Sequence, residues 1–561
     1  MQKQFEENRM EQYKKRVTFS YRVFLVRLGK RHIRLWFKGY FINPEKLVLG
    51  EQLLELADGV RIPVQCNSYS GKLPAKKALL NNPMTCVCVK TAEVAVRNGV
   101  LNNPVRIWLN VEGTLVPYYI ACPIRKKNFD ERYYYLPWKR TVKNGFSLHF
   151  RRGGKGALTL VRRPLEDYER TWRYRLFENR VVSAVMYWMG RCCRRFSKTQ
   201  VLLFYEKFAK KAEEGVYELC RMVQEQSKAK AYFILDENSD DYKRLKADAG
   251  VVAKYSFRYY WLVYRVNLFV ATEAPSHLNV MRSVNYWLRR SHVDNRFVFL
   301  QHGIIYMKNL GKNCTFIQGK EGAPDYMVVS SEKEGRVAAQ MLQMKPEQLW
   351  NTGLAIFDKM TQNIDAKSQN LVTVFLTWKP YEEYIQDFTE TEYYRTIVAT
   401  VELLAKYIPR ERIAVCAHPK VEGLIKNTPL YGSMWQQPVF DLIAKTKLLI
   451  TDYSSICYQS FFRGAGVIFY QYDLERYEQA TGPLIPQQEE YIGPRVFDRN
   501  QLEQVISDII KDGEICLEQI RTAEYERRYA AINQWKDGHN TQRICERLLA
   551  LLGEKQQKNG L

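Results

Sequence analysis

Short apolar runs recur along the C-terminal two thirds of the chain, and they constrain its fold more than any other feature. Between about residues 200 and 550, nine such runs of three to five residues alternate with stretches of helical pattern. They are Val201–Tyr205, Ala231–Leu235, Leu268–Ala271, Phe297–Leu300, Tyr326–Val329, Val372–Leu376, Ile413–Cys416, Leu448–Ile450 and Val467–Tyr470. Strands that are apolar on both faces and separated by helices are typical of parallel sheets covered by helices on both sides. The pattern therefore predicts an α/β fold.

Nine strands are too many for one comfortable sheet, so we predict two successive doubly wound domains. The boundary is expected near residues 312–325, which gives one Rossmann-like domain over 201–318 and a second over 319–561. In such folds ligands bind beyond the carboxyl ends of the strands, in the cleft between domains.

The first 200 residues have a different pattern. Residues 1–30 are predicted to form a charged amphipathic helix, and residues 31–165 a β-rich accessory domain, because alternating apolar residues are broken there by Asn-Pro, Asp-Gly and Gly-Gly. In residues 166–200, Arg and Lys interleave with Trp, Tyr, Phe and Met at helical spacing. This segment is either a helix lying in a membrane interface or a basic linker helix packed between domains.

The charge balance indicates an anionic partner. The 561 residues include 85 Lys and Arg against 60 Asp and Glu, a net charge of +25. Nucleic acid, an acidic membrane surface or a phosphorylated substrate would each suit that charge. The twelve cysteines lack zinc-site spacing and are interpreted as reduced thiols. With no apolar run long enough to span a bilayer and no signal-peptide pattern, we predict a cytoplasmic protein.

Polar residues follow three of the predicted strands. They are Gln-His-Gly at 301–303, Ala-His-Pro-Lys at 417–420 and Thr-Asp-Tyr-Ser-Ser at 451–455. Histidine exchanges protons near neutral pH, so His302 and His418 are candidates for catalysis. Hydroxyl groups at the start of a helix favour phosphate binding. The alternatives are histidines that satisfy local hydrogen bonds and ordinary helix N-caps in 451–455.

Other chemical signals are weaker. Lys379 follows a predicted strand and could reach a phosphate, or it could be an ordinary solvated lysine. No group of His, Asp, Glu or Cys has convincing metal spacing, and the chain contains neither a Walker loop nor a Gly-x-Ser-x-Gly motif.

Five motifs taken together resemble the CDP-glycerol glycerophosphotransferase family of teichoic acid synthesis in order and spacing. They are QHG at 301–303, NTG at 351–353, AHPK at 417–420, TDYSS at 451–455 and FYQYDLERYEQATG at 469–482. The resemblance covers roughly residues 200–540, and the strand-rich segment before it looks like the accessory domain that some members carry.

The resemblance implies a two-domain GT-B fold and a peripheral enzyme on the cytoplasmic face of the plasma membrane. Such enzymes move glycerol phosphate, or ribitol phosphate in related members, from a CDP-activated donor to a hydroxyl of a lipid-linked acceptor and release CMP. By this likeness His302 is the general base on the acceptor hydroxyl. His418 would contact the pyrophosphate and stabilise the leaving group. No cofactor or metal beyond the CDP-glycerol donor is implied.

The same likeness assigns further binding residues. The donor-phosphate residues are Thr451, Asp452, Ser454, Ser455 and Lys420, with Asp452 more suited to positioning the loop, and the expected substrate contacts are Gly303, Lys308, Gly353, Lys379 and Glu478. The chain departs from the family where QHGIIYMKNLG stands at 301–311, because members often read WHGTPLKKLG. This departure bears on the choice of acceptor more than on the reaction.

Three other functions are weighed against this one. A sugar transferase of the same architecture would use a nucleotide sugar in the same phosphate site. A basic nucleic-acid-binding protein would explain the charge, but no nucleic-acid module is recognisable. A degenerate transferase kept as a membrane scaffold is disfavoured because both histidines are retained.

Overall fold

The computed structural model describes most of the chain, and every structural statement below concerns these residues. They are 2–57, 60–71, 82–91, 101–121, 140–143, 145–152, 157–177, 179–278, 286–310, 314–320, 323–361, 369–382, 387–417, 421–426 and 428–558. The chain divides into two compact units, Met1–Met189 with Ser276–Ser291 and Gly190–Pro275 with His292–Leu561.

Antiparallel strands dominate the first unit. They are β1 Thr18–Leu28, β2 His32–Ile42, β3 Leu49–Ala57, β4 Val60–Pro63, β5 Asn67–Tyr69, β6 Thr85–Lys90, β7 Leu101–Pro104, β8 Arg106–Val111, β9 Thr114–Tyr119, β10 Arg140–Lys143, β11 Phe146–Arg152 and β12 Leu158–Pro164. Three four-stranded sheets result. Their orders are β1-β2-β5, with β6 also paired with β2, then β4-β3-β8-β9 and β10-β11-β12-β7. The predicted β-rich accessory region is thus present.

The sheets of this unit share one core. Val26 of β1, Ile107 of β8 and Phe150 of β11 belong to a single cluster of buried apolar side chains. Strands β2 and β8 contribute alternate residues to that cluster, as expected when one face of a sheet is buried.

The helix predicted over residues 1–30 is shorter than expected. Helix α1 spans Gln2–Arg16, and β1 begins at Thr18 and pairs with β2 over almost its whole length. The prediction was wrong beyond residue 16, because the alternating pattern of Thr18–Leu28 is satisfied by its antiparallel partner.

Residues 166–200 are helical, as predicted. The helices are α2 Asp167–Arg170, α3 Trp172–Phe177 and α4 Arg180–Phe196. Within the described ranges, none of the helices combines the length and the apolar character needed to cross a bilayer.

Two parallel sheets organise the second unit. The first contains β13 Val201–Tyr205, β14 Lys230–Leu235, β15 Val251–Ala253, β16 Leu268–Ala271, β17 Arg296–Phe299, β18 Tyr326–Val329 and β19 Leu349–Asn351, in the order β15-β14-β13-β16-β17-β18-β19. The second contains β20 Leu371–Phe375, β21 Ile413–Val415, β22 Thr446–Thr451, β23 Gly466–Tyr470 and β24 Arg495–Val496, in the order β21-β20-β22-β23-β24. A short hairpin, β25 Ile510–Lys511 and β26 Glu514–Ile515, follows. All nine predicted strands are present.

Helices connect these strands. They are α5 Val216–Gln226, α6 Asp240–Leu245, α7 Phe257–Arg265, α8 Tyr286–Val293, α9 Glu332–Leu342, α10 Ala355–Thr361, α11 Glu392–Leu404, α12 Glu422–Ile425, α13 Val439–Lys445, α14 Ile456–Phe462, α15 Leu474–Thr481, α16 Arg499–Ile509, α17 Leu517–Ile520, α18 Ala523–Ile532 and α19 Asn540–Lys558. The chain returns at its end to the first sheet, because α19 packs on α5.

The boundary between the two sheets differs from the prediction. Strands β18 and β19 pair within the first sheet, which therefore extends past residue 318, and the second sheet begins only at Leu371. The sequence of a short apolar strand does not indicate which sheet the strand joins. The position of this boundary therefore depends on strand pairing, which sequence alone does not reveal.

Candidate functional site

The site begins at a strained turn after β17. Gln301 has a φ of +60°, a left-handed conformation that costs an ordinary residue about 1–2 kcal/mol. Its buried side chain offsets that strain, since Nε2 donates to the carbonyl oxygen of Val328 at 2.7 Å and to Oε1 of Glu334 at 3.2 Å. The turn places the next side chain, His302, at the carboxyl edge of the sheet, where it is exposed.

The buried side chain of Glu334 holds this turn through hydrogen bonds. It is completely buried and accepts hydrogen bonds from the backbone N–H of Ser330 at 2.6 Å and of Ile305 at 2.8 Å. Burial raises the pKa of Glu334, although the hydrogen bonds from Ser330 and Ile305 act in the opposite direction. The sequence analysis missed this residue. Ser331 and Glu334 form the Ser-x-x-Glu pattern of a helix start, but the carboxylate supports the neighbouring loop instead.

The loop at 301–303 meets the loop at 451–455. The carbonyl oxygen of His302 accepts a hydrogen bond from Nε2 of Gln459 at 2.8 Å. A Cβ at Gly303 would lie 3.4 Å from Oγ of Ser455 and 3.3 Å from Nε2 of Gln459, so only glycine permits this approach without displacement. Two motifs from different sheets, about 150 residues apart in sequence, therefore form one surface.

Two residues of the 451–455 loop hold its backbone. The hydroxyl of Thr451 donates to the carbonyl oxygen of Phe375 at 2.6 Å. Asp452 is fully buried and accepts from the backbone N–H of Thr377 at 2.9 Å. The geometry therefore favours positioning roles for Thr451 and Asp452 rather than the phosphate contacts expected from the sequence. The remaining hydroxyl residues, Ser454 and Ser455, are partly exposed.

Lys379 is a buried ion-pair partner. Its side chain is 1% exposed, and Nζ lies 2.7 Å from Oδ2 of Asp452 and 3.1 Å from Oδ1 of Asp473. The ammonium also lies 4.6 Å from the centroid of the Tyr453 ring. The sequence favoured either a phosphate contact or a solvated lysine, and the buried ion pairs correct both expectations. Lys379 instead links the segments that follow β20, β22 and β23.

Lys308 is partly buried and lies near enough to Asp452 and Lys379 to be affected by their charges. Burial lowers the pKa of Lys308, while the charge of Asp452 opposes that shift and the charge of Lys379 adds to it. Among the described residues, no acceptor forms a hydrogen bond with its ammonium and no carboxylate pairs with it. A partly desolvated cation without a counter-ion favours an anionic ligand.

Two expected substrate contacts have structural roles. Gly353 has a φ of +76°, and a Cβ there would lie 2.9 Å from Cβ of Trp535, so the C-terminal segment occupies that space. Glu478 accepts from the backbone N–H of Leu484 at 2.9 Å and closes the end of α15. His418 and Lys420 lie outside the described residues, and their assignments stay predictions.

A pair of buried carboxylates stands beside the His302 loop. Nδ1 of His302 lies 3.4 Å from the carbonyl oxygen of Thr272, which follows β16, and the neighbouring strand β13 is followed by Glu206. Oε1 of Glu206 accepts from the backbone N–H of Glu214 at 2.8 Å. Burial raises the pKa of Glu206 well above its usual range, and the charge of Glu214 adds to this shift. Burial also raises the pKa of Glu214, against the charges of Lys207 and His302.

The raised pKa of Glu206 gives a pH-dependent stability. The folded chain binds a proton at Glu206 more tightly than the unfolded chain, so this stabilisation is present at low pH and is lost as pH rises toward the folded-state pKa. Glu206→Gln should therefore gain at least about 1 kcal/mol in unfolding free energy relative to the natural chain between pH 5 and pH 8. Urea unfolding at both values checks this, with the exposed Glu402→Gln as control. Equal pH dependence of Glu206→Gln and the natural chain would contradict it.

The described residues contain no group of three or more His, Cys, Asp or Glu side chains arranged to hold a metal ion. The features at this edge of the two sheets are a histidine, partly exposed hydroxyls, a desolvated lysine and a rigid buried ion-pair cluster.

The model of one protein family matches this part of the chain. The family described as CDP-Glycerol:Poly(glycerophosphate) glycerophosphotransferase matches residues 186–550. The chain belongs to this family. The match includes both parallel sheets and the loops at 301–303 and 451–455.

Two curated relatives of the chain come from Bacillus subtilis (strain 168). The minor teichoic acid biosynthesis protein GgaB is 22% identical over 303 residues, which is 50% of this chain and 32% of the relative. The teichoic acid glycerol-phosphate primase is 25% identical over 171 residues, which is 28% of this chain and 42% of the relative. The chain thus spans less than half the length of each of these two relatives.

Among solved structures, the chain is similar to the wall teichoic acid polymerase TagF. A histidine variant of that protein superposes with a TM-score of 0.50 at 13% identity, over 68% of this chain and 98% of that chain. At this identity the likeness concerns the fold. It agrees with the predicted GT-B-type pair of Rossmann-like domains behind a β-rich region.

Within the family, the departure at 304–305 has a structural explanation. Ile304 is fully buried and belongs to the core cluster that includes Leu300 after β17, Leu449 of β22 and Cys457 of α14. Apolar packing around Ile304 thus holds the loop at the position where the resemblance leads one to expect Thr-Pro.

Proposed function

We propose that this chain transfers glycerol phosphate from CDP-glycerol to a hydroxyl of a lipid-linked acceptor in the synthesis of teichoic acid or a related cell-surface polymer, and releases CMP. Membership in the glycerophosphotransferase family supports the donor and the reaction class. The observation that carries the proposal is the contact between the loop at 301–303 and the residues at 455 and 459. This contact places the proton acceptor His302 and the hydroxyl donor Ser455 on adjoining loops.

The geometry suits one step of in-line displacement. The acceptor oxygen attacks the phosphorus that bears glycerol, a new P–O bond forms, and the bond from that phosphorus to the oxygen of CMP breaks. His302 takes the proton of the attacking hydroxyl. Negative charge spreads over the transferred phosphoryl oxygens and the CMP oxygen, where Lys308, Ser454 and Ser455 would stabilise it. His418 and Lys420 are proposed to contact the pyrophosphate on the leaving side.

The direct test is CMP release by purified protein. CDP-glycerol and CDP-ribitol are each supplied with a lipid-linked glycerol phosphate acceptor analogue, and CMP is measured with and without the acceptor. Acceptor-dependent release from CDP-glycerol is expected. Release from CDP-ribitol alone would assign the other polyol, and turnover only with a nucleotide sugar would replace the proposal with a sugar transferase.

We also infer that the enzyme works at the inner face of the plasma membrane, attached through α4. The exposed apolar side chains at helical spacing on α4 are Val181, Val185, Trp188, Met189 and Phe196. Arg191 and Arg195 are exposed near the end of the same helix. Arg194 has a different task, because its guanidinium donates to the carbonyl oxygen of Tyr264 at 2.7 Å. Exposed apolar residues with nearby cations are typical of a helix that lies in an anionic interface.

Removing apolar contacts from α4 should weaken membrane binding. Val185→Ser with Trp188→Ser is expected to lower affinity for anionic phosphatidylglycerol vesicles by about tenfold or more, since each buried apolar side chain contributes about 1.5–3 kcal/mol. Vesicle co-sedimentation measures this effect. Val439→Ser with Phe497→Ser removes two similarly exposed apolar residues elsewhere and serves as control. Equal binding of both variants would exclude α4 as the attachment site.

A further inference from the structure

The outer face of the β1-β2-β6 sheet is unusually cationic. Its exposed cations are Arg22, Arg27, Lys30, Arg31, Arg34 and Lys90, which we call the basic face. The strands Thr18–Leu28, His32–Ile42 and Thr85–Lys90 contain no Asp or Glu at all. The inner face of the same strands carries the buried Val26, Leu35 and Val87. The strand cations Arg22, Arg27, Arg34 and Lys90 therefore lie on one side of a single sheet, and Lys30 and Arg31 stand in the turn between β1 and β2.

Register places like charges opposite each other. Arg27 of β1 pairs directly with Arg34 of β2, and Arg22 pairs with Lys38. On the other side of β2, His32 pairs with Lys90. Like charges that face each other across antiparallel strands destabilise a sheet. Within the described part of the chain, none of the six cations forms an ion pair with an acidic side chain, so a bound anion would relieve the repulsion between Arg27 and Arg34.

An apolar centre separates the cations. Trp36 lies between Leu25 on β1 and Cys86 on β6 in the next row of the sheet. Alternate residues on one strand face are about 6.8 Å apart, so β2 presents His32, Arg34, Trp36 and Lys38 as a line of regularly spaced groups. Such a line suits an extended ligand in which negative and uncharged segments alternate.

We propose that the basic face binds the poly(glycerol phosphate) chain itself, as a second site outside the transferase site. Phosphodiester groups would meet the arginines, which bind phosphate through a planar fork of donors. The glycerol carbons would pack on Trp36. The choice of polymer rests on the proposed function, whereas the charge complementarity rests on the sheet alone. Holding the polymer in this way would keep a growing end near the enzyme between additions.

The test measures binding of a synthetic glycerol phosphate oligomer to the full chain by calorimetry, with no nucleotide present. Arg27→Gln, Arg34→Gln and Lys90→Gln combined should weaken binding by about tenfold or more and make the slope of log affinity against log salt less steep by about 2. The control combines Arg395→Gln, Arg410→Gln and Lys228→Gln, which removes the same net charge from exposed positions of the second unit. It should change affinity by less than about twofold.

Two further probes identify the ligand. Inorganic phosphate should bind much more weakly than the oligomer, because it engages one cation pair rather than the row. Phosphatidylglycerol vesicles should bind both triple variants equally. The proposal is overturned if the basic-face variant and the control variant bind the oligomer with equal affinity. It is also overturned if the basic-face variant loses vesicle binding and keeps oligomer binding, because the face would then be a membrane surface. Because no donor is used, a chain that binds the oligomer but releases no CMP would refute the proposed transfer and leave this site standing.

Discussion

Replacing His302 by alanine should lower the rate of glycerol phosphate transfer by about 100- to 10,000-fold, the range that general acid–base groups contribute. His302 is exposed at the edge of the first sheet, and within the described residues its ring makes one polar contact, between Nδ1 and the carbonyl oxygen of Thr272 at 3.4 Å. The turn around it is held by Gln301 and Glu334, not by the imidazole. The variant should therefore fold normally and bind donor normally while the acceptor hydroxyl keeps its proton.

The measurement is CMP release under saturating donor and acceptor, with donor binding measured separately by calorimetry. His539→Ala is the matched control, because it removes another exposed histidine of the same unit. We expect the control to keep natural activity. If His302→Ala keeps near-natural kcat, or if it loses donor affinity in proportion to rate, His302 is not the proton acceptor.

The sequence predicted the parts of the fold that depend on local pattern. Val201–Tyr205 and Leu268–Ala271 match their strands residue for residue, because a strand buried on both faces reads as an uninterrupted apolar run. Strands of two or three residues such as β15, β19 and β24 were missed, because so few residues do not show a recognisable hydrophobic pattern. Helix α1 was extended too far for the opposite reason: the charged, aromatic pattern of 17–28 also fits a paired strand.

Sequence reasoning selects candidate site residues where the residue type itself determines the chemistry. It misses the role of a residue where that role depends on burial. The structure brings the loops of His302, Gly303 and Ser455 together, whereas their roles in catalysis and substrate binding stay predictions. The roles of Lys379 and Gly353 depend on what packs against them, namely Asp452 with Asp473 and Trp535. Those partners lie 73 to 182 residues away in sequence, so a single sequence gives no sign of them.

Lys379→Met should destabilise the second unit by about 3–5 kcal/mol, the cost of removing one partner from a buried ion pair. The change leaves the carboxylates of Asp452 and Asp473 buried without their shared cation. Asp452 also binds the backbone N–H of Thr377, so the loss reaches both β20 and the 451–455 loop. Ser454 and Ser455 stand on that loop, and we expect transfer activity to fall even at temperatures where the variant is folded.

Urea unfolding measures the global effect, and hydrogen exchange of peptides from 371–382 and 446–462 reports the local one. Lys406→Met is the control, because Lys406 pairs with Glu503 at 2.9 Å on the surface, where such a pair contributes at most about 1 kcal/mol. Adding Asp473→Asn to Lys379→Met should recover part of the loss, since it removes one of the two uncompensated charges. If Lys379→Met proves no worse than Lys406→Met and exchange in 446–462 is unchanged, the buried cluster does not hold the loop and Lys379 is free to serve another purpose at the site.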